Sequence, residues 1–223
     1  MSKSGLFKSS IGRKFAMALS ALFLMIFLLQ HLLINLTAVM SPDTFNELSH
    51  FMGTNPLVQF LAQPILIFAV IFHFVMGMYL EMKNRAARPI AYNKFNGAAN
   101  SSWMSRNMAI TGMVILAFLV LHFIDFWIPE INHKYIAMAA EDPTRYYGEL
   151  LHKFSNPARV IAYIVAFGLL ALHLLHGFGS AFQSMGQNNK YIDGLKKFGV
   201  FYSIAVPLGF ILIAISLYVT TLN

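Results

Sequence analysis

Cysteine is missing from this 223-residue chain. Its absence excludes disulfides, thiolate-held iron–sulfur clusters and covalently attached c-type haem within the chain. Any redox group held here must therefore sit on His, Met or Tyr. Charge is scarce as well: 11% of residues are Asp, Glu, Lys or Arg, against about 25% in a soluble domain. With 57% hydrophobic residues and a mean hydropathy of +0.61, the chain has too few polar groups to cover a water-facing surface. No basic stripe is interleaved with aromatics, so the net charge of +7 is not the footprint of a nucleic-acid partner. Low-complexity segments are also lacking. These absences imply one all-α, polytopic membrane domain over residues 1–223.

Five apolar runs reach the roughly 20 residues that a membrane-crossing helix needs. They are Phe15–Met40, Leu57–Leu80, Met108–Ile128, Ala158–Phe182 and Phe198–Leu222. With flanking turns, helices are expected over about residues 12–40, 56–84, 104–128, 157–183 and 195–222. Within the apolar windows only Asp125 and Arg159 are formally charged, and both lie near an end. The apolar character is continuous and shows no period of two, which argues for helices and against barrel strands. The first run follows a basic N-terminus and so mimics a signal peptide. It exceeds the usual 7–15-residue apolar region and continues without an A-x-A-like cleavage site, so it reads as a retained helix.

Basic residues give the direction. Twelve of the 16 Lys and Arg fall in the N-terminal segment and in the second-to-third and fourth-to-fifth connections. Seven of the nine acids fall on the opposite side or at its helix ends. The positive-inside rule then places the N-terminus in the cytoplasm and the C-terminus outside. Ser41–Pro56 and Pro129–Pro157 become the outer connections, and Asn132–Phe154 has room for a short surface helix. Asn93–Ser102 reads as a cytoplasmic turn rich in Gly, Asn and Ser. Pro64 and Pro207 lie inside spans, where each frees a backbone carbonyl and should kink its helix. Trp103 and the Tyr residues near span ends read as interface belts, and the 21 Phe and 13 Met as packing filler.

Five of the eight histidines lie within spans: His31, His73, His122, His173 and His176. Ionisable groups at membrane depth are costly and mark functional sites, although a single one can simply hydrogen-bond a neighbouring helix. Their depths form a pattern. His31 lies 19 residues beyond Gly12, and His122 lies 18 beyond Met104, so both sit roughly 27–28 Å from the cytoplasmic helix ends at 1.5 Å per residue. Helices two and four run the other way. There His73 is 11 residues before Asn84 and His173 is 10 before Gln183, which puts both roughly 15–17 Å from that face. Two pairs at two depths, one His per helix, are what two bis-histidine haems require. A closed axial pair leaves no open position for oxygen and suits electron transfer.

Gly77 and Gly177 each follow a histidine of the inner pair by four residues. That is one turn along on the same face, where a missing side chain lets a porphyrin lie against backbone. Glycine also serves ordinary helix packing in membranes. A zinc site would gather its donors at one depth, and a proton relay would prefer intramembrane acids, of which Asp125 is the one candidate.

Several segments together resemble the single-chain, five-helix, di-haem cytochrome b anchors of succinate:quinone oxidoreductases, the succinate dehydrogenases and fumarate reductases. They are Ser9-Ser10-Ile11-Gly12-Arg13-Lys14, Gln30-His31 through Leu36, His73 through Gly77, the lone His122, and Leu172-His173 through Gln183. The resemblance covers the whole chain. It implies a bacterial inner-membrane protein that binds a flavoprotein subunit and an iron–sulfur subunit on its cytoplasmic face. It also implies electron passage between them and quinone, menaquinone being the type often paired with this architecture. The inner haem b would take His73 and His173, and the outer haem b His31 and His122. His176, three residues from His173, could replace it as ligand; the family pattern favours His173 and leaves His176 as a propionate or packing partner.

The chain has no flavin or nucleotide fingerprint, so it would not oxidise succinate alone. Ser9 and Ser10 with Arg13 resemble a quinone-pocket pattern at the cytoplasmic interface; the alternative is a helix cap with a basic anchor. On the outer side, Asp125 and Glu47 could relay protons to quinone, or be solvated acids. Some di-haem fumarate reductases carry a membrane-embedded glutamate two residues before the fourth helix's ligand; Ala171 stands there, so that proton pathway is not implied. Two alternatives stay open: a di-haem b subunit of another quinone-linked oxidoreductase, such as a hydrogenase or formate dehydrogenase, and a His-dependent transporter or proton channel.

Overall fold

The computed structural model describes residues 9–87, 106–186 and 192–223. The Asn93–Ser102 turn, Trp103, and the basic residues Lys3, Lys8, Arg88, Lys94 and Lys190 lie outside them. The described residues are all-α. Five helices are long and apolar enough to cross a membrane: α1 (Ser10–Met40), α3 (Val58–Ala86), α4 (Met108–Ile136), α6 (Pro157–Ser184) and α7 (Ile192–Thr220). Two shorter ones, α2 (Pro42–Thr54) and α5 (Arg145–Phe154), lie in the connections after α1 and α4.

Local chemistry starts several of these helices. Ser9 accepts a hydrogen bond from the Gly12 amide at 2.9 Å, Ser41 accepts from Thr44, and Asn156 accepts from Ala158 and Arg159. Each satisfies amides that have no partner within the helix. Pro42 and Pro157 occupy first-turn positions, where a missing N–H costs nothing.

The Ser41–Pro56 connection thus folds as a 13-residue helix, held by its cap and by burial of Phe45. The expected surface helix is α5, which buries Leu150 and Phe154. The third span departs from the expected end near residue 128: it continues through Pro129 to Ile136. Wide turns explain this. Ile128 donates to the carbonyl of Phe123 rather than to that of Ile124, and Gln63 likewise donates to Val58 just before Pro64. The extra residue in each turn relieves the proline ring's clash with the carbonyl four residues back, so the helix passes the proline instead of stopping.

Helices α1, α3, α4 and α6 pack in a ring, each against the next, and α7 lies outside it across α6 and α1. The hydrophobic core is off-centre, between α1, α6 and α7, with Met25, Tyr163, Phe167, Phe178, Tyr202, Phe210 and Leu217. Gly199 permits the close approach of α7 to α6, because a Cβ there would stand 2.3 Å from the Phe178 ring. Tyr202 donates a buried hydrogen bond to the Met25 carbonyl at 2.5 Å, tying α7 to α1. On α3 and α4, by contrast, Ala69, Thr111 and Asp125 are the buried described residues. Inside the four-helix ring, imidazoles from all four helices meet.

Candidate functional site

The four spans of the ring each turn one histidine inward, and the rings meet in two pairs. His31 of α1 faces His122 of α4 with ring centres 5.8 Å apart and planes at 86°. His73 of α3 faces His173 of α6 at 6.4 Å and 67°. α7, which has no histidine, stands outside.

The surroundings of the two pairs differ. The outer pair sits among aromatics: Phe27 stacks on His31 at 5.5 Å, and Phe210 approaches it from α7. Phe118, Phe126 and Tyr163 surround His122. The Nδ1 of His122 is buried without a hydrogen-bond partner. His31 Nδ1 lies 3.4 Å from the Asn35 amide nitrogen, which donates to the His31 carbonyl at 2.8 Å.

The inner pair is held by hydroxyls. His73 Nδ1 is 3.1 Å from Ser20 Oγ, and His173 Nδ1 is 3.2 Å from Thr111 Oγ1. Gly77 and Gly177 lie one turn beyond the two histidines, and Gly112 faces one of them. A Cβ at Gly77 would meet the tip of Met17 at 3.3 Å, one at Gly177 the tip of Met108 at 3.5 Å, and one at Gly112 the His173 ring at 3.7 Å. Gly77 and Gly177 therefore look onto flexible methionine ends, which can yield to a larger guest. Gly112 was not singled out from sequence, because the histidine it meets belongs to another helix and none lies one turn away on its own.

This donor set fits a haem b. Metal–imidazole bonds of about 2.0–2.1 Å, with each ring centre roughly one ångström further back, set facing ring centres roughly 6 Å apart. Both observed separations have that span. Among the described residues, no three His, Asp or Glu side chains gather as a metal-holding group. Donors in twos suit a group that brings its own equatorial nitrogens and needs only axial ligands. His176 has its Nε2 engaged by Ser180 Oγ at 3.2 Å, one turn further along α6.

The remaining candidates fall in three places. At the start of α1, Ser9 caps the helix, while Ser10 Oγ accepts from Arg13 at 3.4 Å and the guanidinium lies 5.7 Å from the Tyr79 ring centre. Glu47 is exposed on α2. Asp125, unlike Glu47, is not solvated: it is 2% exposed, and its Oδ2 accepts from Tyr163 at 2.9 Å and from Arg159 Nε at 3.0 Å. Its Oδ1 is buried without a partner. Tyr163 and Arg159 were not tied to Asp125 by sequence reasoning, because they belong to a helix more than 30 residues away.

A second polar cluster joins α2, α4 and α5 beyond the ring. Glu130 pairs with Lys134 and Arg145; Arg145 also reaches Glu149 at 2.8 Å and covers the Tyr146 ring at 4.3 Å. Lys134 and Gln59 both donate to the Gly53 carbonyl. Burial, and then the Glu130 carboxylate, push the Tyr146 hydroxyl up to about 12.

The chain is 31% identical over 160 residues to the succinate dehydrogenase cytochrome b558 subunit of Bacillus subtilis (strain 168), an alignment spanning 70% of this chain and 69% of that protein. No family model matches the chain, and no solved structure matches it.

Proposed function

Because this chain belongs to the succinate dehydrogenase cytochrome b subunit family, we propose that it is the membrane anchor of a succinate:quinone oxidoreductase and holds two b haems, one on His31 and His122 and one on His73 and His173. The observation that carries this reading is the meeting of four histidines from four different helices in two separate pairs. One His per helix, facing at a span suited to an intervening iron, is unexplained by helix packing alone. Bound there, the haems would supply one-electron carriers at two depths.

The protein's own part is to set the wire. Helices α1, α3, α4 and α6 hold the imidazoles at fixed heights, and the aromatic surround of the outer pair excludes water. The basic ends of the chain orient it with the N-terminus in the cytoplasm, in a bacterial inner membrane. On that face a flavoprotein subunit and an iron–sulfur subunit dock and exchange electrons with the inner pair. Quinone, read as menaquinone, is served at two ends. Ser9, Ser10 and Arg13 form the cytoplasmic candidate. Asp125, with Glu47 nearer the water, forms the outer one, where a carboxylate can take up a proton released by quinol.

The test is haem quantification on the purified complex. Two haems b per chain are expected; His31→Ala or His122→Ala should lose the outer one and His73→Ala or His173→Ala the inner one. A haem-free complex refutes the proposal. Loss of a haem in His176→Ala but not in His173→Ala would reverse the ligand assignment. Recovery of a hydrogenase or molybdenum subunit, in place of a flavoprotein, would reject the choice of partners.

A further inference from the structure

The two inner histidines are each met by a buried hydroxyl from the neighbouring helix, and the second contact of each hydroxyl bears on the direction of the hydrogen bond. Ser20, 9% exposed, has one hydroxyl hydrogen, and its Oγ lies 2.8 Å from the Met17 carbonyl, which can only accept. Thr111, 3% exposed, stands in the same relation to the Met108 carbonyl at 2.9 Å. With that hydrogen used, each hydroxyl offers only lone pairs to the imidazole beside it. With the hydroxyl hydrogen on the carbonyl, the proton between Ser20 Oγ and His73 Nδ1, 3.1 Å apart, is the histidine's, as is the one between Thr111 Oγ1 and His173 Nδ1 at 3.2 Å. A neutral imidazole protonated at Nδ1 carries its free lone pair on Nε2. Among the described residues neither Nε2 has a hydrogen-bond partner.

Back-bonding of Ser or Thr to its own helix is a common way to bury a hydroxyl and does not by itself need a histidine. Here it occurs on two helices, α1 and α4, and each time the second contact is the Nδ1 of a histidine on a different helix, α3 or α6. Both histidines belong to the inner pair. The outer pair has no counterpart: His122 Nδ1 has no partner, and His31 Nδ1 meets an amide nitrogen.

We propose that Ser20 and Thr111 are positioning residues that fix the tautomer and aim of His73 and His173. By accepting from Nδ1–H they strengthen Nε2 as an electron donor to the inner iron. The inference rests on the haem reading above. An acceptor on the far nitrogen of a metal-bound histidine raises ligand basicity, and its removal typically costs about 10–100-fold in metal affinity. A weaker donor stabilises ferric iron less, so the inner haem becomes easier to reduce.

The experiment uses the intact complex in detergent, comparing wild type with Ser20→Ala and Thr111→Val, each paired with its hydroxyl-keeping variant, Ser20→Thr and Thr111→Ser. Haem content, the low-temperature paramagnetic resonance spectrum of the ferric state and a potentiometric titration are recorded. The expected result is a change confined to one haem. Its ferric signal shifts, its retention falls about tenfold, and its preference for the reduced state rises on the order of tenfold, about 59 mV for one electron. The hydroxyl-keeping variants retain the wild-type spectrum and potential. An unchanged signal and potential in both Ser20→Ala and Thr111→Val overturns the inference and leaves the haem reading intact. Equal disturbance of both haems marks a packing role and overturns it too. Haem-free wild-type complex would instead overturn the reading on which it rests.

Discussion

Removing Arg159 should damage the protein more than removing Asp125, although the two are partners in one ion pair. The reason is unequal burial. The Asp125 side chain is fully buried, whereas Arg159 keeps 29% of its side-chain surface accessible. In Arg159→Ala the carboxylate remains inside with Tyr163 as its one polar contact and Oδ1 still without a partner. Leaving an uncompensated buried charge costs about 3–5 kcal/mol. In Asp125→Ala the guanidinium can turn toward the membrane surface, and what stays behind is the buried Tyr163 hydroxyl, an unsatisfied group costing about 1–3 kcal/mol.

The double variant should cost less than the two single effects together, with a coupling of about 0.5–3 kcal/mol, as for other residues in direct contact. Equilibrium unfolding in mixed micelles, run as a double-mutant cycle, measures all three quantities. An Asp125→Ala cost equal to or greater than that of Arg159→Ala would refute the burial argument. Additivity within about 0.3–0.5 kcal/mol would show that the pair is not coupled.

Other expectations are equally direct. Gly199→Ala drives a methyl group to within 2.3 Å of the Phe178 ring, so α7 must shift; a loss of about 1–3 kcal/mol is expected from overpacking, partly recovered when Phe178→Leu is added, as read by thermal unfolding. Tyr202→Phe removes the bond to the Met25 carbonyl and should cost about 0.5–1.5 kcal/mol, because that carbonyl belongs to the α1 helix interior and is not left orphaned. Tyr146 is held neutral, its hydroxyl raised from 10.0 to about 12. A raised folded value means that its contribution is intact below pH 10 and is lost as pH climbs through about 12. Tyr146→Phe should therefore flatten that part of the alkaline unfolding curve, and Glu130→Gln should lower the tyrosine's titration midpoint in an ultraviolet pH titration. An unmoved midpoint in Glu130→Gln would show that burial alone sets it.

The five spans and the relative heights of the histidines were readable from sequence because a bilayer imposes an axial ruler. Apolar length marks a crossing, and the rise of 1.5 Å per residue converts position into depth. That ruler placed His31 level with His122 and His73 level with His173 without any knowledge of packing. It failed at prolines: the third span was expected to stop near residue 128, yet a wide turn carries it past Pro129, a backbone adjustment that hydropathy does not register. Ser41–Pro56 reads from sequence only as an outer connection, although Ser41 and Pro42 form an ordinary helix start.

Rotation about the helix axes was not readable. Lipid is as apolar as a protein interior, so a membrane helix is hydrophobic all round and its composition does not mark the inward face. Only tertiary structure turned the four imidazoles toward one another, left α7 outside the ring and brought Ser20 to His73 and Thr111 to His173. It also joined Asp125 to Arg159 and Tyr163 across two helices. Depth is a property of one helix and lies in its sequence, whereas facing is a relation between helices and arises when they pack.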